Sequence, residues 1–106
     1  TIVGNDCIVG NQVEISRSVL KNNIKISHQS FMGDVIIENG VIIGAGSVSC
    51  NYEKGKRFLS NIGTDSVIGS GTMIVSPVKI GKNVIIGAGS VVTKDLKNNS
   101  KLVQKR

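Results

Sequence analysis

The chain has 106 residues, room for one domain, and carries 13 Lys and Arg against 7 Asp and Glu, a net charge of +6. Hydrophobic residues make up 40% but aromatics only 3%, with no Trp, so a core must be filled by Val, Ile and a few Leu, which excludes an aromatic-centred sandwich and a disordered tail alike. No apolar run of about 18 residues and no basic-then-apolar leader occurs, so neither a membrane span nor a signal peptide is expected, and the cytoplasm is the default compartment.

The chain opens at Thr1 without an initiator Met, as expected of a piece of a longer protein. From there an aliphatic residue followed by a turn former recurs at Val3-Gly4, Val9-Gly10, Ile15-Ser16, Leu20-Lys21, Ile26-Ser27, Met32-Gly33, Ile37-Glu38 and Ile43-Gly44. The series resumes at Ile62-Gly63 and continues through Ile68-Gly69, Ile74-Val75, Ile80-Gly81, Ile86-Gly87 and Val92-Thr93, nearly always in steps of six. Four places after most of these aliphatics stands a second small or branched residue, among them Cys7, Val13, Ile24, Ser30, Val41, Ser47, Ser66, Thr72, Val84 and Ser90, so the two positions share an interior. Cys7 and Cys50 form no metal or redox spacing and are read as reduced thiols.

A period of six fits neither an amphipathic helix nor a long alternating strand; it fits a short strand plus a corner. Branched residues favour the strand, and Gly and Asn tolerate the positive φ of a tight corner, which Asn5, Asn11, Asn22 and Asn39 are placed to supply. Three strands and three corners make a triangular coil of about 18 residues, and such coils stack at about 4.8 Å through parallel ladders. About five coils are expected over residues 1–93, with no long helix.

The irregularities obey the same frame. Steps of five, Ile15 to Leu20 and Met32 to Ile37, begin 17 residues apart, which puts both shortenings at one corner of successive coils. Between Ser49 and Ile62 the chain is about seven residues too long for two hexads; the excess from Lys54 to Asn61 is polar and basic, and predicts a loop thrown out over residues 50–61. Beyond Lys94 the period fades, so residues 94–106 are expected to leave the prism as a basic tail.

This pattern resembles the hexapeptide-repeat acyltransferases, whose fold is an all-β, single-stranded, left-handed parallel β-helix. The hand is implied by the resemblance alone, because parallel crossovers are otherwise nearly always right-handed. More specifically, His28-Gln29-Ser30-Phe31-Met32-Gly33-Asp34, then Ile43-Gly44-Ala45-Gly46-Ser47 with Cys50-Asn51-Tyr52 before the basic loop, followed by Ile68-Gly69-Ser70 and Val75-Ser76-Pro77-Val78, resemble the C-terminal acetyltransferase domain of the bifunctional N-acetylglucosamine-1-phosphate uridyltransferase / glucosamine-1-phosphate acetyltransferases. In that family the domain forms a homotrimer, binds acetyl-CoA in a groove between subunits and acetylates the amine of glucosamine 1-phosphate, a step towards UDP-N-acetylglucosamine and peptidoglycan. The family's separate N-terminal nucleotidyltransferase domain carries a Gly-rich nucleotide loop, and nothing like that loop stands in this chain.

The repeat also predicts neighbours. Positions two after Val9, Ile26, Ile43, Ile68 and Ile86 form one column: Asn11, His28, Ala45, Ser70 and Ala88. A corner lined by Ala, Ser and Ala is a shallow groove, and the single imidazole at its end is placed to meet the reactive tip of a long ligand; attack of an amine on a thioester needs a base near neutral pH, which neutral His supplies. The resemblance makes His28 that base, puts Ala45, Asn51, Tyr52, Ser70, Ala88 and the tail cation Lys105 on acetyl-CoA, and puts Glu14, Phe31 and Arg57 on the sugar side. Glu14 would orient His28 or hold the substrate ammonium, and Arg57 would meet the sugar phosphate.

Three sugar-side positions depart from the family: Ser16 replaces a Lys, Phe31 a Tyr and Ile42 an Asn. They leave room for a different amino-sugar acceptor or for a non-catalytic trimeric scaffold. A basic stripe interleaved with aromatics is absent, so nucleic acid is not an expected partner. One histidine is too few for a zinc hydratase of the same fold, and no metal ligands are expected.

Overall fold

The computed structural model describes residues 1–103, and among them there is no helix. The first turn of the chain lays down β1 (Ile2–Val3), β2 (Ile8–Val9) and β3 (Glu14–Ser16), and the second β4 (Val19–Leu20), β5 (Lys25–Ile26) and β6 (Phe31–Gly33). The third is β7 (Val35–Ile37), β8 (Ile42–Ile43) and β9 (Val48–Cys50); the fourth β12 (Ser60–Ile62), β13 (Val67–Ile68) and β14 (Met73–Val75); the fifth β15 (Lys79–Ile80), β16 (Ile85–Ile86) and β17 (Val91–Val92). Every third strand pairs in parallel, giving walls β1-β4-β7-β12-β15, β2-β5-β8-β13-β16-β18 and β3-β6-β9-β14-β17, with β18 at Lys101–Leu102. The molecule is a left-handed β-helix of about six turns.

The register reproduces the arithmetic of the repeat. Ile2 faces Val19, Ile8 faces Lys25 and Glu14 faces Phe31, all 17 apart, while Asn61 faces Lys79 and Val67 faces Ile85, 18 apart. Ile42 faces Val67, 25 apart, so that turn holds 25 − 18 = 7 additional residues. The extra length folds as an antiparallel hairpin, β10 (Tyr52–Glu53) against β11 (Lys56–Arg57), turning through Lys54 (φ +49°) and Gly55 (φ +81°). Left-handed φ at both central residues is the type I′ geometry that matches strand twist.

Each aliphatic of the repeat points inward. Leu20, Ile37, Ile62 and Ile80 stack down one wall and Ile26, Ile43, Ile68 and Ile86 down the next, all buried. From Ile24 onward the second inward position is buried too, and where it is polar its hydroxyl bonds back into the corner: Ser47 Oγ donates to Gly44 O at 2.8 Å, Thr72 Oγ1 to Gly69 O and Ser90 Oγ to Gly87 O, both at 2.6 Å. A buried hydroxyl with a backbone acceptor avoids the desolvation penalty that would otherwise exclude it from a core.

Three expectations are corrected. The left-handed corner residue lies three places after the aliphatic, at Asp6, Gln12, Asn23, Gln29, Asp65 and Asn83, one later than Asn5, Asn11, Asn22 and Asn39. Asn22 and Asn39 instead extend their side chains between coils, Oδ1 of Asn22 accepting from Asn5 N–H and Oδ1 of Asn39 from Asn22 N–H, both at 2.8 Å. The loop closes at Leu59 rather than Asn61, because Ser60 and Asn61 pair with Val35 and Ile36 in the wall. The segment after Lys94 also stays on the prism: Leu96 bridges Ile80, and β18 pairs with β16 to open a sixth turn.

Candidate active site

The predicted column exists. Gln29 N–H donates to Asn11 O and Gly46 N–H to His28 O at 3.1 Å, then Gly71 N–H to Ala45 O and Gly89 N–H to Ser70 O at 2.8 Å. These bonds stack Asn11, His28, Ala45, Ser70 and Ala88 at the corner between the second and third walls. From His28 to Ala88 is three coil steps, about 14 Å.

The upper part of that corner is built from Gly44-Ala45-Gly46, Gly69-Ser70-Gly71 and Gly87-Ala88-Gly89. The first two leading glycines are required by close stacking, since a Cβ on Gly44 would fall 2.4 Å from Ser70 N and one on Gly69 2.5 Å from Ala88 N. The trailing glycines take φ of +71°, +70° and +74°, and nothing lies within 4 Å of where their Cβ would be. The result is a smooth floor with open space above it. At its lower end the imidazole of His28 is exposed in a shallow depression shared with Asn11, Gln12 and Gln29.

A second cluster occupies the next corner. Arg17 and Asp34 adopt left-handed φ of +47° and +53° at successive turns, and Arg17 grips Asp34 with Nε to Oδ1 at 3.0 Å and Nη2 to Oδ2 at 3.2 Å. Asn51, one turn further and 7% exposed, donates from Nδ2 to Asp34 Oδ2 at 2.6 Å. The hydrogen bond from Arg17 holds the Asp34 carboxyl below the usual carboxylate range, helped by that from Asn51 and by the charges of Arg17 and Arg57, against the effect of burial. Arg17 is raised in turn, first by its bond to Asp34 and less by the charges of Asp34 and Glu14. Gly33 is the seat of this cluster: a Cβ there would lie 2.5 Å from Asn51 Nδ2 and 2.6 Å from Phe31 Cζ.

The hairpin springs from the same point. Phe58 N–H returns to Asn51 O at 2.7 Å, and Tyr52 stands opposite Arg57 in the hairpin register, both exposed. Glu14 and Phe31 face each other across β3 and β6 on the third wall, between the two corners, and Ser16 Oγ donates to Glu14 Oε2 at 3.5 Å. Lys105 lies outside the described residues. The meeting of Arg17, Asp34 and Asn51 was not foreseen from the sequence, although the equal spacing of positions 17, 34 and 51 marks one column once a 17-residue turn is recognised.

The expected site residues within the described chain therefore lie at two corners and, for Glu14 and Phe31, on the wall between them. His28, Ala45, Ser70 and Ala88 line one edge; Asn51, Tyr52 and Arg57 crown the next. His28 to Asp34 is six steps of chain that turns a corner at Gln29, so the two lie at most about 20 Å apart. No group of three His, Cys, Asp or Glu is close enough to hold a metal among the described residues.

Comparison with known proteins places this architecture. Residues 60–94 match the family described as bacterial transferase hexapeptide (six repeats). The bifunctional protein GlmU of Thermosipho africanus is 46% identical over 92 residues, 87% of this chain and 20% of the relative, and that of Campylobacter concisus 41% over 95 residues, 90% of this chain and 22% of the relative. The chain thus spans about a fifth of the length of the curated relatives it matches. Among solved structures, the acetyltransferase domain of PglB from Neisseria gonorrhoeae in complex with acetyl coenzyme A superposes with a TM-score of 0.75 at 21% identity, covering 92% of this chain and 50% of that one. A GDP-perosamine N-acetyl transferase from Caulobacter crescentus in complex with CoA and GDP-perosamine gives 0.52 at 22% identity, covering 94% and 53%; at these identities both likenesses speak for the fold alone. With repeat, register and relatives in agreement, the chain is a hexapeptide-repeat β-helix similar over about 90% of its length to part of the bifunctional GlmU proteins.

Proposed function

We propose that this domain transfers the acetyl group of acetyl-CoA to the amine of glucosamine 1-phosphate, giving N-acetylglucosamine 1-phosphate for cytoplasmic UDP-N-acetylglucosamine and cell-envelope synthesis. The observation that carries the reading is the floor of glycine, alanine and serine ending at the one histidine of the chain. The pantetheine arm lies along Ala45, Ser70 and Ala88 with its thioester beside His28. The imidazole takes a proton from the acceptor ammonium; the freed amine attacks the thioester carbon, the C–N bond forms and the C–S bond breaks, and the surplus proton on the nitrogen passes to the departing sulfur, so that the products are the amide and the CoA thiol. Glu14 and Arg57 serve the acceptor, the first opposite its ammonium and the second opposite its phosphate.

The active unit is a homotrimer. Six residues of chain separate the His28 edge from the Asn51 corner, so one thioester reaches both only if they come from different subunits packed around a three-fold axis. A stripe of in-register apolar side chains, Ile42, Val67 and Ile85, is exposed on the second wall and supports such packing.

The test is a CoA-release assay with glucosamine 1-phosphate, run beside a calorimetric titration with CoA. Binding with turnover upholds the reading. Binding without turnover points to another acceptor, the outcome that Ser16, Phe31 and Ile42 favour, and no binding leaves a scaffold.

A further inference from the structure

We propose that the Arg17–Asp34 pair is a positioning device that fixes which end of the Asn51 amide faces the ligand, presenting Oδ1 as an acceptor for an N–H donor at the foot of the hairpin. The consequence for catalysis rests on the function proposed above; the orientation itself does not.

The argument starts from the asymmetry of an amide. Its NH2 end only donates and its oxygen only accepts, so an Asn beside a neutral partner can settle either way. Asp34 removes that choice. Held by both Arg17 nitrogens, at 3.0 and 3.2 Å, its carboxyl is ionised and therefore acceptor-only, so the end of Asn51 that approaches Oδ2 to 2.6 Å has to be Nδ2. Oδ1 is turned away, and among the described residues it takes no hydrogen bond. Nor is it sealed in the core, where the one unpartnered buried side-chain polar atom among the described residues is Oδ1 of Asn61.

The surroundings hold the amide in this pose. Phe31 and Asn51 meet over Gly33, where even a methyl group would collide with both, and the backbone oxygen of Asn51 is tied to Phe58 N–H at 2.7 Å. Asn51 is thus fixed through side chain and backbone at the point where the hairpin leaves the prism, with its acceptor open. Two donors fit that acceptor: an amide N–H of the pantetheine arm, or the ammonium of the acceptor sugar.

The first arm of the test needs no ligand. In the nitrogen-15 spectrum of the full chain, the Asn51 side-chain NH2 is expected to exchange slowly with solvent and to shift away from free-amide values, and D34N, which keeps size but not charge, is expected to abolish both features. R17K, which keeps charge but not the fork, is expected to retain them in part. Unchanged Asn51 signals in D34N would overturn the proposal.

The second arm is a double-mutant cycle on acetyl transfer and CoA binding with D34N, N51A and the pair, at matched thermal midpoints. D34N alone is expected to cost about tenfold, and to cost nothing further once N51A is present. Equal losses in both backgrounds would make Asp34 an independent support and also overturn the idea. A loss confined to the CoA Kd identifies the pantetheine N–H as the donor, and one confined to the KM of the amino sugar identifies its ammonium. If the wild type shows no CoA binding or turnover, the proposed function fails while the spectrum still decides the orientation.

Discussion

Gly69 and Gly71 show how narrowly single positions are constrained. A Cβ on Gly69 would lie 2.5 Å from Ala88 N, an immovable backbone atom, whereas Gly71 at φ +70° has open space around it. G69A must push two coils apart and is expected to lower stability by about 1–3 kcal/mol or more. G71A meets only the left-handed strain of a side chain, about 1 kcal/mol, so urea midpoints at one protein concentration should rank wild type, then G71A, then G69A. Asp34 makes a prediction in pH. Its folded carboxyl is held below the usual range by Arg17, so its contribution is complete above the unfolded value near pH 4 and is lost as pH falls through the lower folded value. The thermal midpoint of the wild type should therefore exceed that of D34N at pH 7, and the gap should close on acidification below about pH 4. Equal gaps at pH 7 and at the acid end would contradict the role given to that charge.

At the scale of elements, the sequence displays its own turns because every inward position must be aliphatic or small and every corner must bend. The six-residue step, the 17-residue turns and the seven-residue excess were all legible. The sixth turn was not, although Leu96 and Leu102 stand six apart, because the step from Val92 to Leu96 is only four and the Lys and Asn residues that follow Thr93 look like a tail. The corner of His28, Ala45, Ser70 and Ala88 could be read from register alone. The Arg17–Asp34–Asn51 column escaped because its meaning lies in side chains meeting across three turns rather than in any local motif. The hairpin yields the element-scale prediction. Excising residues 53–59 removes the seven extra residues and restores the 18-residue turn, so the far-ultraviolet spectrum should keep its β character while acetyl transfer falls to background. Full turnover by that variant would show that Arg57 and the hairpin are dispensable.

In the whole molecule each coil touches only its neighbours, so stability is graded along the stack. The inward residues of the first turn show the gradient: Val3 and Val9 are 47% and 41% exposed, whereas Leu20 one turn later is 1% exposed. Amide exchange is expected to be fastest in the first turn and slowest in the third and fourth. The same stacking sets the site. One prism holds the His28 groove on one edge and the Asn51 corner on the next, at most about 20 Å apart, and the proposed three-fold assembly would set the edge of one subunit against the corner of another and make the two halves one site. Co-expression of H28A and N51A subunits tests this most directly, with CoA release in the presence of glucosamine 1-phosphate as the readout. Each variant alone should be nearly inactive, H28A falling by about 10² to 10⁴. Mixed trimers should recover about a quarter of wild-type turnover, because random assembly restores both residues at one interface in four. Mixed trimers no more active than the separate variants, beside an active wild type, would contradict a site shared between subunits.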